Sequence, residues 1–564
     1  MIKIAKRLLT GALVALATGS TGAVAASQPN ILLIMADDLG FSDLASFGGE
    51  IETPNLDRLA AEGIRMTRFY VAATCSPSRA MLMTGMDNHQ VGLGTMAEVL
   101  PFAPQLQGRP GYEGHLQNGH PTLPEVLQGV GYRTYMAGKW HLGKAPALDP
   151  SRKGFDRAFA LLDGGASHFQ PIDGSTVRVE NVTYREDGKQ VEVPPDFYST
   201  DFYTDKLISY IDGERNSGRP FFAWAAYTAP HWPLHAPSAL IAKYAGRYDA
   251  GYDPIREARV ARQAASGLFD QDFLAASPSA GQQPWAELTD EQRAVESRKM
   301  EVYAAMVDHL DAGIGRLFDY LKRTGQYDNT VVVVISDNGA AAENHAAGYS
   351  PGDQLTDNSL ANIGHRGSNV SYGLGWAEVS AAPFSLVKGT TGEGGISSPA
   401  IIRMPPSLTT LAGGSVVRQV ARIDDLMPTL LKLAGVEVSA DPQLSTLSGM
   451  PLEGVWSSET SPTERTLAGE MFGQSYVLTD RWKLRSAALP KGLPDMDQPL
   501  RWELFDLHSD RGERNNVASE NLGMVQRLLG VWDDYRERMG LYVPEGGFCV
   551  VGRLEGPGYG ACRE

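Results

Sequence analysis

The chain is poor in cysteine and in positive charge, and it has no long apolar run. Lys and Arg number 50 against 66 Asp and Glu, for a formal net charge of −16. The basic footprint that nucleic acid or an anionic membrane surface requires is therefore missing. No apolar stretch reaches the ~20 residues of a spanning helix, so the chain is read as not an integral membrane protein. Internal repeats and low-complexity blocks are absent, and the 61 Gly and 34 Pro are scattered. Together with 43% apolar and 21% charged residues in a chain of 564, this excludes disordered, collagen-like and coiled-coil classes. What remains is a globular chain long enough for more than one domain.

The first residues read as an export signal. Lys3, Lys6 and Arg7 precede an apolar segment from Leu8 to Ala17, and Ala23, Val24, Ala25 and Ala26 supply the small residues of a cleavage site. Removal of residues 1–26 places the mature protein in a periplasm or outside the cell. Three cysteines enter that oxidising setting: Cys75, Cys549 and Cys562. The last two lie close together in a Gly-rich tail, where a disulfide is expected to contribute about 3 kcal/mol, the alternative being two free thiols. Cys75 is left over and needs another explanation.

ILLIMADD (Ile31–Asp38) and TVVVVISDNG (Thr330–Gly339) read as buried parallel strands, apolar throughout rather than alternating. Helical patterns lie between them at Thr53–Gly63 and Thr122–Gly131. The longest helix begins at Thr289, which with Gln292 forms a capping box, and stops at Gly325. A hairpin turns on Asp187-Gly188. Strands alternating with helices predict an α/β layered domain with a large, mostly parallel sheet between helices, over 27–440. A smaller C-terminal α+β domain is expected over 441–564, from SYVLTD, WKLRSA, ELFDL and a helix at Leu522–Met539.

Asp37-Asp38 and Asp337-Asn338 each end an apolar strand, at the sheet edge where α/β proteins bind ligands. Brought together, three carboxylates and an amide oxygen form a hard-oxygen site suited to Ca²⁺ or Mg²⁺; alone, each pair could equally cap the next segment. In TCSPSRAMLMTG (Thr74–Gly85), Pro77 suits a first helical turn. Cys75 then stands at a helix N-terminus that favours an anion, with Arg79 one turn along the same face. Lys139 and His141 in GKWHLG, His231 in APHWP and Lys388 in KGTTGEGG gain meaning only from their segments. His235 is expected to be pocket wall or surface and His309 solvated, while His89 and His115 flank a loop that could line a pocket.

These segments resemble the type I sulfatases. Cys75-Ser76-Pro77-Ser78-Arg79 matches the C-x-P-x-R signature, and GYRTYMAGKWHLG (Gly131–Gly143) matches the second signature. APHWP, SDNG, KGTTGEGGISSP and ELFDLHSDRGERNNVA follow in the family's order, and APHWPLHAP with NHQVGLGTM looks most like bacterial arylsulfatases. The resemblance implies an alkaline-phosphatase-like fold and oxidation of Cys75 to formylglycine by a formylglycine-generating or sulfatase-maturing enzyme. It implies one Ca²⁺ held by Asp37, Asp38, Asp337, Asn338 and modified residue 75. Arg79 would steady the hydrated aldehyde and Asp337 accept its proton. Lys139 would bind sulfate and His141 assist breakdown of the sulfated intermediate, with His231 and Lys388 holding and protonating the leaving-group oxygen. The substrate implied is a small aryl or alkyl sulfate ester; the alternative is a phosphonate or phosphate ester on the same site. Loops 88–118 and 163–195 are where specificity is expected to reside.

Overall fold

The computed structural model describes residues 28–270, 275–277, 282–344, 352–452, 454–456, 464–486 and 502–542. The export signal of residues 1–26 and the Cys549–Cys562 pair lie outside the described residues. Eleven strands form the main sheet: β1 (Asn30–Ala36), β2 (Ile64–Tyr70), β3 (Arg133–Lys139), β4 (Arg157–Leu161), β5 (Tyr184–Glu186), β6 (Lys189–Val191), β7 (Phe221–Ala226), β8 (Thr330–Ser336), β9 (Ser397–Arg403), β10 (Ser415–Val417) and β11 (Ala421–Arg422). Their order is β10-β2-β9-β8-β1-β7-β3-β4-β5-β6, with β11 also on β2. The central run β8-β1-β7-β3-β4 is parallel throughout, and β9 is antiparallel to both of its neighbours.

Apolar residues from Ile31 to Ala36 of β1 let both faces be covered. Leu32 and Ile34 enter one core and Ile31, Leu33 and Met35 the other. The helix Asp290–Arg323 closes the first side with Met300, Val307 and Leu310, capped by Thr289 and Gln292 as expected. The helix Cys75–Thr84 closes the second with Leu82 and Met83. Each such buried side chain contributes about 1.5–3 kcal/mol, so the strand ends are held on a stiff frame.

Register brings the polar strand ends together. Ala36 pairs with Ser336, so Asp37 and Asp337 leave adjacent strands side by side, and Asp337 N–H donates to the Ala36 carbonyl at 3.2 Å. Gly138 pairs with Ala226; a Cβ there would lie 1.9 Å from the Ala226 carbonyl oxygen, so glycine is required just before Lys139.

A second sheet holds β12 (Leu467–Met471), β13 (Gln474–Leu478), β14 (Trp482–Ser486) and β15 (Trp502–Asp506), all antiparallel. The helix Leu522–Met539 covers one face, with Leu528 and Trp532 against Val477, Leu484 and Leu504. Strand β12 has no counterpart in the sequence reading. Leu444, Leu452 and Val455 pack into the main core, ahead of the second sheet. Lys483 joins the two sheets through Glu393 and Glu513, each at 3.0 Å. No described helix is long and apolar enough to cross a membrane.

Candidate active site

The main sheet's carboxyl edge gathers all ten residues singled out in the sequence, all of them buried. Cys75 is the first residue of its helix, and its Sγ lies 3.4 Å from Asp37 Oδ1 and 3.8 Å from Asp38 Oδ1. Arg79, one turn on, donates from Nε to Asp337 Oδ2 at 2.8 Å and from Nη1 to the Lys139 carbonyl at 2.6 Å. Lys139 Nζ reaches both Asp37 oxygens at 2.9 and 2.7 Å, and Lys388 Nζ both Asp38 oxygens at 2.7 and 2.8 Å. Asn338 Nδ2 donates to Asp38 Oδ1 at 2.7 Å. Asp38 and His141 take left-handed backbone conformations, at φ 64° and 56°, which non-glycine residues adopt at a cost.

These groups answer to one another's charge. Burial raises the Asp337 carboxyl and neighbouring Asp37 adds to it, outweighing Arg79 and Lys139. Asp38 goes the other way: burial raises it, yet Lys388, His231 and Lys139 together hold it below the usual carboxylate range. Burial and the adjacent Asp337 lift the Cys75 thiol well above its ordinary value, so the unmodified side chain is a poor nucleophile. Lys139 and Lys388 are held above the ordinary lysine value by the carboxylates they touch, against the cost of burial, and so stay charged.

Asp37, Asp38, Cys75 and His231 each offer a ligand atom within 4.8 Å of the others. Asn338 Oδ1 is buried and meets no partner among the described residues. An orphaned amide oxygen beside two carboxylates is the donor chemistry of a hard divalent cation, and the residues fit that group. Asp337, beside them, accepts from Arg79 and, through Oδ1 at 3.3 Å, from the Asp38 N–H.

Both site histidines have one ring nitrogen held. His231 Nδ1 lies 2.5 Å from the Trp232 carbonyl, with Nε2 3.5 Å from Asp38 Oδ2. His141 Nε2 lies 3.0 Å from Glu98 Oε2. Burial lowers both rings below the ordinary histidine value despite the nearby acids.

Sequence reasoning missed Glu98 and the Gly164-Gly165 step. A Cβ at Gly164 would lie 2.8 Å from His141 Nε2, and one at Gly165 3.0 Å from His231 Cε1. It also missed Glu343, whose Oε1 is 3.8 Å from Lys388 Nζ while Oε2 is buried without a partner among the described residues. A Gly-Gly pair in an expected specificity loop was the available signal; an isolated glutamate offers none.

Four other histidines are buried or partly buried. His309 is not solvated: it is partly buried, 3.0 Å from Asp201. His235 is not a surface residue: it is fully buried, and its Nε2 meets the Ser368 carbonyl at 2.8 Å. His89 is buried between Asp87 and Glu470. His168 is buried too, joining Ser199 Oγ to the His231 carbonyl.

The family model described as Sulfatase matches residues 29–436. An uncharacterised sulfatase of Schizosaccharomyces pombe is 40% identical over 536 residues, covering 91% of this chain and 94% of that one. An arylsulfatase of Klebsiella aerogenes is 38% identical over 476 residues, covering 83% of this chain and all of the relative. A phosphonate monoester hydrolase from Silicibacter pomeroyi superposes with a TM-score of 0.53 at 22% identity, over 93% of this chain and 100% of that one, a likeness of fold alone.

Proposed function

We propose, from the premise that the chain belongs to the sulfatase family and is a sulfuric ester hydrolase, that it cleaves small aryl sulfate esters with a formylglycine at position 75 and a bound Ca²⁺. Cys75 carries this reading: it heads a helix 3.4 Å from Asp37, in a pocket with Lys139 and Lys388, and its thiol is held protonated. Formylglycine, once hydrated, offers two hydroxyls on one carbon, so one can attack sulfur and the other can lose its proton to expel sulfate. Calcium held by Asp37, Asp38, Asp337, Asn338 and residue 75 would supply charge that sharpens that nucleophile and stabilises a sulfate oxygen.

Lys139 and Lys388, both charged, would face the sulfate group, where negative charge spreads as the ester bond breaks. Arg79, locked on Asp337, orients residue 75. His231 keeps Nδ1–H on the Trp232 carbonyl, so Nε2 faces the departing oxygen and hands it a proton only from the charged ring. His141 takes the proton whose loss releases sulfate. Residues 1–26 serve as the export signal, and a maturing enzyme oxidises Cys75.

Turnover of 4-nitrophenyl sulfate and of a phosphonate monoester, with matured protein and calcium, tests the substrate class. A preference for the sulfate is expected; a preference for the phosphonate removes the aryl sulfate assignment and leaves the site standing. Cys75→Ala is expected to abolish turnover, and chelation to remove activity that calcium restores. Retained activity in either case overturns the corresponding part of the proposal.

A further inference from the structure

Loops 88–118 and 163–195 meet over His141. Glu98 comes from the first, and its Oε2 accepts from His141 Nε2 at 3.0 Å. Its Oε1 lies 2.8 Å from an Arg178 guanidinium nitrogen of the second loop. Arg178 is 63% exposed and Glu98 only 19%, so a rim cation holds an inner carboxylate, which in turn holds a buried ring. His141 is fixed from two further directions. Its backbone is left-handed, and Gly164 leaves no room between its chain and the ring.

The pairing decides where the ring keeps its hydrogen. An ionised carboxylate can only accept, so the neutral ring must carry its hydrogen on Nε2 and its lone pair on Nδ1. Burial raises the Glu98 carboxyl, but His141 and Arg178 hold it well below the usual range, so it is ionised at neutral pH. His141 Nδ1 is buried and meets no partner among the described residues. The other charged groups acting on the ring are Lys139 and Arg79, both cations that oppose its protonation.

We infer that Glu98 is a positioning residue that fixes His141 in its Nε2–H form, so that Nδ1 is the atom that receives the proton during turnover, and that Arg178 holds Glu98 in place. The inference rests on the reading of His141 as the proton acceptor. The proton leaves the reacting hydroxyl, makes the ring a cation beside the Glu98 charge, and then passes to water, which returns the ring to neutrality. A carboxylate partner suits that cycle because its charge stabilises the ring only while it is protonated.

Glu98→Gln, Glu98→Asp, Arg178→Ala and His141→Ala test this together. Gln keeps the size of Glu but can donate as well as accept, so it no longer dictates the tautomer. Glu98→Gln should lower kcat at least tenfold with KM within twofold. It should also move the acid limb of the pH profile downward, because the carboxylate raises the ring's proton affinity. Glu98→Asp should recover part of the loss, and Arg178→Ala should cost about two- to threefold. A readout independent of turnover is the ¹⁵N spectrum of the His141 ring in unmodified Cys75 protein. Wild type should show a pyridine-type Nδ1 and a pyrrole-type Nε2, and Glu98→Gln a mixture. A Glu98→Gln enzyme with kcat within twofold of wild type, or a pyridine-type Nε2 in wild type, overturns the inference. If His141→Ala loses turnover while Glu98→Gln keeps it, only the inference falls. If His141→Ala keeps full turnover, the reading of His141 falls and the inference with it.

Discussion

His141 has one carboxylate partner, whereas His89 lies between two. In the site, Glu98 takes Nε2 and Nδ1 has no partner among the described residues, and burial keeps the ring neutral. At the junction of the two sheets, Asp87 meets His89 Nδ1 at 3.1 Å and Glu470 meets Nε2 at 3.0 Å. There burial lowers the ring's pKa, but hydrogen bonds and charge from both acids overcome it and push it up to about 9. A ring held at both nitrogens is a permanent cation with no lone pair to offer, so it ties elements together and cannot move protons. A ring held at one nitrogen is oriented and still reactive. The number of acids around an imidazole, more than its burial, separates the two uses.

The largest break in that contrast should come from His141→Ala. Loss of a proton acceptor typically costs about 10²–10⁴-fold in kcat, with the thermal midpoint unchanged within a few degrees. A loss under tenfold, measured by steady-state kinetics beside calorimetry, would make His141 a bystander. The mirror variant, His89→Ala, strands Asp87 and Glu470 in the interior. It should cost about 3–5 kcal/mol in denaturant unfolding while the folded fraction keeps its kcat. An unchanged stability would show the triad to be decorative.

Proton linkage sharpens the contrast further. His89 binds its proton more tightly folded than unfolded, so its contribution is fully present below the ordinary pKa of ~6.5 and is lost as pH rises through about 9. The groups facing the ring are Asp87, Glu470, Tyr112 and, through Asp87, Arg422 and Tyr535, whose hydroxyl donates to Asp87 at 2.9 Å. The expected loss across that window is about 3 kcal/mol, read as a falling midpoint in urea between pH 6.5 and 10. His89→Gln should flatten that slope, and an equally steep slope in the variant would assign it to other groups. The smallest effect is expected at Gly164→Ala, where the added methyl must push the His141 ring. There kcat should fall about tenfold with stability little changed, and an unaltered rate would mean that the loop yields instead of the ring.

Much of this was legible beforehand, for a reason that varies with the residue. The strands ending in Asp37-Asp38 and Asp337-Asn338 announce themselves because both faces are covered, which demands unbroken apolar runs, and polarity then marks where each strand leaves the sheet. Cys75 and Arg79 are four residues apart on one helix, so their common face follows from helical geometry. Glu98 is 43 residues from His141 and Glu470 is 381 from His89, and each sits in a segment with no periodicity to betray its direction. The misreading of His309, and the surface alternative for His235, have the same origin. Proline and a polar helix face pointed outward locally, while His168 and Phe169 of the 163–195 segment cover His235 and Asp201 of the helix Ser199–Glu214 meets His309.

The sequence by itself determined the layered α/β frame and, through the sulfatase motifs it resembles, the ten residues expected in the site, because the frame follows from local periodicity and each motif concentrates its chemistry at short spacing. Only the tertiary structure decided which lysine meets which aspartate, and that Asn338 keeps an amide oxygen unclaimed. It alone decided that one histidine has a single acid and another has two. Such pairings depend on sheet register and loop closure between distant segments. A one-residue shift in either would exchange the partners and leave the local sequence signals unaltered.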